Sequence, residues 1–160
     1  MFRPALFMLL VAACSPSEPE TKSAEPPRAK QPASAIAPAP PILPADATAV
    51  NDIASIAGEW RVAGIAGQSL SQPFGISASI RDGRVRFVSQ CITRQYQLQI
   101  QGGLVIARLL GNAVPDCARA LTIDERAIEQ SMGQVKSVYR LPSSALVFDG
   151  PAGAVTLFTQ

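Results

Sequence analysis

The sequence predicts a mainly β (α+β) fold: a small antiparallel β-barrel-like domain of about eight strands with one helix, behind a disordered N-terminal tether. Three observations predict it. Apolar and polar residues alternate with period two through most of the chain after Asn51, the primary signal of half-buried strands. One stretch, from Thr122, carries helix-start chemistry. The stretch before Thr48 is too rich in Pro, Ala, Ser, Glu and Lys to build a core.

Residues 1–13 read as a signal peptide. Arg3 supplies the basic start and Ala5 to Leu10 a short apolar run, which Ser15, Pro16, Ser17 and Glu18 stop well before the ~20 residues a spanning helix needs. Val11, Ala12, Ala13 and Cys14 resemble a lipobox, with Cys14 the acylated residue. Each buried methylene contributes about 0.8 kcal/mol, so two or three fatty chains make a stable anchor. The blander reading is an ordinary secretory signal with a chance cysteine. Ser15, in place of Asp, resembles the outer-membrane sorting pattern and gives the expected address: lipid-anchored, with the domain facing the periplasm.

Residues 14–48 form the expected tether, with prolines at Pro26, Pro27, Pro38, Pro40, Pro41 and Pro44. At about 3.1 Å per residue, an extended proline-rich segment of this length would hold a domain up to roughly 100 Å from the membrane, within reach of peptidoglycan. The competing reading, a proline-rich ligand for a partner, is the less economical one.

Residues 51–160 are long enough for one domain with a single core. Phe74, Ile76, Ala78 and Ile80 alternate with small or polar residues up to Asp82-Gly83, a hairpin turn. Val85 and Phe87 continue the pattern, and Tyr96, Leu98 and Ile100 alternate with four glutamines before Gly102-Gly103. Five strands are expected before Gly111. The helix should open at Thr122, whose spacing to Glu125 makes a capping box, and end at Gly133, with Ile123, Ala127, Ile128 and Met132 as its apolar stripe. Three more strands fit Val135 to Leu141, Ala145 to Asp149 and Ala154 to Phe158. Closing the sheet would remove most of its edges.

Beyond Cys14 the cysteines are Cys91 and Cys117. In an oxidising compartment a disulfide is the expected outcome, with two buried thiols as the alternative. The chain has no histidine, so Ser-His-Asp and Cys-His catalysis are excluded and two thiols make a poor zinc set. No metal or cofactor is expected. Lys136 and Ser137 are adjacent on a strand and would point to opposite faces. Asp124, Glu125 and Glu129 read as a solvated helix start, and Asp82 and Asp149 as turn residues. No catalytic residue is assigned.

The whole domain, from Ile56 to Phe158, resembles the META domain of the bacterial heat-shock lipoprotein HslJ family. The resemblance rests on the order of Gly58-Glu59-Trp60-Arg61, Gly67, Cys91, Tyr96 before Gly102-Gly103, Cys117 just ahead of the helix, Val138-Tyr139, and Gly150 to Phe158. It departs where members often carry Gly-Cys-Asn and this chain has Gln90-Cys91-Ile92, and again at Val114-Pro115-Asp116. The resemblance implies a stress-associated envelope barrel without agreed catalytic residues.

Ten Lys and Arg stand against eight Asp and Glu from Asn51 onward, too small an excess to argue for nucleic acid. Candidate binding features are the strand face of Arg81, Arg84 and Arg86, with Arg94 or Arg108 nearby, and the loop Gly111 to Asp116 carrying Asn112, Pro115 and Asp116. Guanidinium groups there would suit phosphates, peptidoglycan carboxylates or an acidic protein, against the plain alternative of a solvated strand face. Trp60 is expected in the core. The expected function is structural or protein-binding, with an envelope protein or peptidoglycan as partner. A lysozyme or protease inhibitor using the Gly111 to Asp116 loop is the main alternative, and a small-ligand carrier with an open lumen the second.

Overall fold

The computed structural model describes residues 43–111 and 119–160. They form ten antiparallel strands in one curled, half-barrel sheet with a single α-helix. The strands are β1 (Thr48–Ala49), β2 (Gly58–Ile65), β3 (Gln68–Ser69), β4 (Ser77–Arg81), β5 (Arg84–Ser89), β6 (Ile92–Gln101), β7 (Leu104–Leu109), β8 (Ser137–Arg140), β9 (Leu146–Asp149) and β10 (Val155–Thr159). The order across the sheet is β1-β8-β9-β10-β2-β4-β5-β6-β7, with β3 paired to β2. Cys14, Asn112, Pro115, Asp116 and Cys117 lie outside the described residues.

The two strands beyond the expected eight are β1 and β3. Each has two residues, too few for an alternation to register in sequence. β1 pairs with Arg140 and Tyr139 of β8, so the sheet takes in Thr48, the last residue of the expected tether, and Val50 behind it is buried. Phe74, Gly75 and Ile76, expected to open a strand, precede β4 instead.

Register follows from the turns. Asp82 and Gly83 both take positive φ, 50° and 71°, the conformation a two-residue hairpin matching strand twist requires. That turn sets Arg81 opposite Arg84, Ser79 opposite Arg86, and Ile80 opposite Val85. Because side chains alternate across a sheet, one pleat face collects Ala78, Ile80, Val85, Phe87, Tyr96 and Leu98, all buried. Trp60 joins them at 3 % exposure, with Nε1 donating to the Ile56 carbonyl at 3.2 Å.

The curl brings β7 towards β8, where Val105 N–H donates to the Lys136 carbonyl at 2.8 Å. The sheet therefore nearly closes at that point, and α1 (Ile123–Gly133) covers the core with Ile128 and Met132. The capping box is formed as expected: Thr122 Oγ1 accepts from Glu125 N–H at 3.2 Å and Glu125 Oε2 accepts from Thr122 N–H at 2.7 Å. The apolar stripe is corrected. Ile123 is 69 % exposed, while Asp124, Glu125 and Ser131 share the buried face with Ile128 and Met132. The first turn faces the sheet with its acids because polar partners wait for them there.

Candidate functional site

Two polar regions stand out: the outer face of β4–β7, and the junction where the start of α1 meets β5, β6 and the loop after β3.

On the outer face, Arg84 lies opposite Gln97, which lies opposite Arg108 on β7. Arg86 is one pleat repeat along β5, opposite Gln95. Arg84 Nε donates to Gln97 Oε1 at 3.3 Å, and Gln97 Nε2 to the Gly83 carbonyl at 2.9 Å. Arg81 is occupied otherwise: its Nη2 meets Glu59 Oε1 at 2.6 Å. Arg84, Arg86 and Arg108 have no carboxylate partner among the described residues. A groove of about 360 Å³ runs beside them, lined by Gln97, Gln99, Ile106, Arg108 and Leu110. The structure thus joins Arg108 to the expected Arg84 and Arg86, and it removes Arg94. Arg94 lies opposite Phe87 on the inner face, its side chain 15 % exposed, with Nε 3.6 Å from Glu129 Oε2.

The helix junction corrects the reading of Asp124 and Glu125 as solvated. Asp124 is 7 % and Glu125 4 % exposed. Asp124 Oδ2 accepts from Ser71 N–H at 2.8 Å, Ser71 Oγ at 3.0 Å and Gln72 N–H at 3.2 Å. Arg119 Nη1 and Nη2 donate to the two oxygens of Glu125, and Nη2 also reaches the Ser89 carbonyl at 3.3 Å. Burial pushes the Glu125 carboxyl up. The Arg119 fork, the nearby Ser89 hydroxyl, the Thr122 amide and the Arg119 charge outweigh it and hold the group down at about 2. Ser89 Oγ sits near the carboxylate without reaching hydrogen-bonding geometry. Such a pair is a lock, since a carboxylate held ionised by a bidentate guanidinium is poorly placed to shuttle protons near neutral pH.

Between these groups and the sheet is a void of only about 10 Å³, lined by Ile76, Phe87, Ser89, Ile92, Arg94, Glu125 and Ile128. The Tyr96 hydroxyl, buried and without a partner among the described residues, lies in the same interior. Burial raises its pKa to about 12, with the Glu129 charge adding and Arg94 opposing.

Cys91, in the turn between β5 and β6, is disulfide-bonded; its expected partner Cys117 and the expected loop residues Asn112, Pro115 and Asp116 are among those outside the described residues. Sequence reasoning missed the anchoring roles of Asp124 and Arg119. The capping-box spacing did mark Glu125, but nothing local marked the distant partners Ser71 and Ser89. No group of three or more His, Cys, Asp or Glu able to hold a metal occurs among the described residues, and no helix there is long and apolar enough to cross a membrane. No protein-family model, curated protein or solved structure matches the chain.

Proposed function

We propose that the chain is an outer-membrane lipoprotein, cut before and acylated on Cys14, whose META-like domain faces the periplasm. It works by surface contact rather than turnover, in a structural or protein-binding role in envelope maintenance under stress. The observation that carries surface contact is the outer face of β4–β7, where Arg84, Arg86 and Arg108 stand exposed beside an open groove, without carboxylate partners among the described residues. Charges that no carboxylate neutralises on a regular sheet face are available to an external anion. Trp60, Tyr96, Phe148 and Leu157 fill the interior, which weighs against the small-ligand carrier.

The test is in-cell photo-crosslinking from single probes at Arg86 and Asn112, with intact-mass measurement of the membrane-extracted chain. A dominant adduct from Arg86 supports contact through the sheet face, whereas a hydrolase captured only from Asn112 supports the inhibitor alternative. A chain that retains residues 1–13, or lacks acyl chains on Cys14, refutes the anchor.

A further inference from the structure

The domain's small net charge conceals a segregation. On the outward positions of β2 and β4–β7, fixed by the pairing register, the charged residues are Glu59, Arg61, Arg81, Arg84, Arg86 and Arg108. Glu59 is taken by Arg81. Four arginines remain, all exposed, with no carboxylate partner among the described residues. The acids of α1 do not offset them: Asp124 and Glu125 are turned inward, and Glu129 lies 3.6 Å from the inward Arg94.

These cations are spread over the sheet and do not converge on a pocket. Arg84 and Arg108 stand two strands apart, roughly 10 Å, and Arg86 about 7 Å along β5 from Arg84. A dispersed array suits a dispersed anion. At the end of the same face, next to the Gly102-Gly103 turn, Leu104 is 57 % and Ile106 48 % exposed. Aliphatic side chains at a hairpin tip with arginines behind them form an amphipathic surface, the combination that holds a protein at a lipid interface. Tight protein contacts favour Trp and Tyr anchors, but Phe87 and Tyr96, the aromatic side chains of β4–β7, are turned inward.

We propose that this face docks on an anionic phospholipid leaflet, the one in which the Cys14 anchor sits, so that the domain lies against its membrane. The proposal rests on the surface-contact and anchoring readings above. A tether raises the effective concentration of the surface at the domain, so a weak basic patch suffices, and anionic lipid attracts each nearby arginine within a Debye length.

The experiment uses the full membrane-extracted chain in vesicles of phosphatidylcholine alone or with about 30 % phosphatidylglycerol, and reads energy transfer between a dye on the domain and a lipid dye. With the anionic lipid the surface-docked fraction should rise roughly tenfold and fall again at 0.5 M salt, a condition of about 4 Å screening length. Arg84→Glu with Arg108→Glu should abolish the rise, and Arg84→Lys with Arg108→Lys should keep it, since headgroup attraction needs charge and not a guanidinium fork. Equal transfer in both vesicles overturns the proposal. So does a Lys variant that fails to dock while the parent chain binds soluble polyglutamate, which identifies an acidic protein site. If Cys14 proves unacylated, flotation of the processed chain with the same vesicles tests the face by itself, and the two failures are told apart.

Discussion

Arg119 closes a two-pronged clamp on Glu125, with Nη1 2.8 Å from Oε2 and Nη2 2.5 Å from Oε1. The clamp joins the segment leading into α1 to the helix itself, and through the Ser89 carbonyl to the end of β5. Its consequence is a dependence of stability on acid. The folded carboxyl lies at about 2 against an ordinary value of 4.5, so the folded state holds the proton less tightly than the unfolded one. The stabilisation is complete above the unfolded value and is lost as pH falls from there towards 2. The shift corresponds to at most about 3 kcal/mol, reduced by solvent screening of the partly exposed Arg119. Urea unfolding at pH 7, 4, 3 and 2 should show that loss, and Glu125→Gln should be less stable at pH 7 with a flatter acid limb. Equal acid slopes in the two proteins would refute the assignment.

Asp124 ties a different part of the chain to the same helix turn. Its Oδ2 receives three donors from Ser71 and Gln72, residues more than fifty positions away. Asp124→Ala should cost about 2 kcal/mol, from losing a charged acceptor of several bonds, and should speed hydrogen exchange of the Ser71 and Gln72 amides. Asp124→Asn keeps one acceptor oxygen and should lose less. Unchanged exchange at both amides would mean that other contacts hold the loop.

The contrast between these acids and the strands marks where the sequence is legible. Hairpin turns are local: counting from Asp82-Gly83 sets Arg81 opposite Arg84 and counting from Gly102-Gly103 sets Gln97 opposite Arg108, whereas Arg84 opposite Gln97 depends on the Gln90-Cys91 turn, which carries no such hairpin signature. The capping box is local too, and Thr122 and Glu125 meet as their spacing predicts. Asp124 has no such guide. An acid in the first turn of a helix satisfies the dipole whether it is solvated or buried, and only the position of the loop after β3 decides. Of Arg94 and Arg108, the two alternatives beside Arg84, counting back from Tyr96 already turns Arg94 inward, and an arginine is tolerated there because α1 brings Glu129 within 3.6 Å.

The disulfide at Cys91 should map to Cys117 in non-reducing peptide analysis. On the chain-entropy model, Cys91→Ser should cost about 3 kcal/mol for a loop of this length. A Cys91–Cys14 peptide would overturn both the pairing and the acylation of Cys14.

Gly150 and Gly133 provide a paired test of close packing. A Cβ on Gly150 would stand 2.3 Å from the Gln134 carbonyl oxygen and 2.9 Å from its carbon. The backbone has little room to yield, since Lys136 N–H donates to the neighbouring Asp149 carbonyl at 2.8 Å. Gly150→Ala should therefore destabilise by about 3 kcal/mol. Gly133, the last residue of α1, has nothing within 4 Å of that position, and Gly133→Ala should be neutral or stabilise by up to about 1 kcal/mol. Similar thermal midpoints for the two variants would show that the β9–β10 turn relaxes.

Tyr96 offers a substitution that should strengthen the fold. Its side chain is 1 % exposed and meets Phe87 edge to face at 6.2 Å, yet its hydroxyl has no hydrogen-bond partner among the described residues. A buried hydroxyl without a partner costs free energy that an apolar atom does not. Tyr96→Phe should keep the aromatic contact and raise stability by about 1 kcal/mol. The same burial raises the phenol from 10.0 to about 12, so the folded state holds this proton more tightly than the unfolded one. Stability tied to Tyr96 is complete below pH 10 and is lost as pH rises through about 12, and the Phe variant should lack that part of the alkaline limb. A Phe variant less stable than the parent at pH 7 would mean that the hydroxyl is satisfied, with a buried water as its partner.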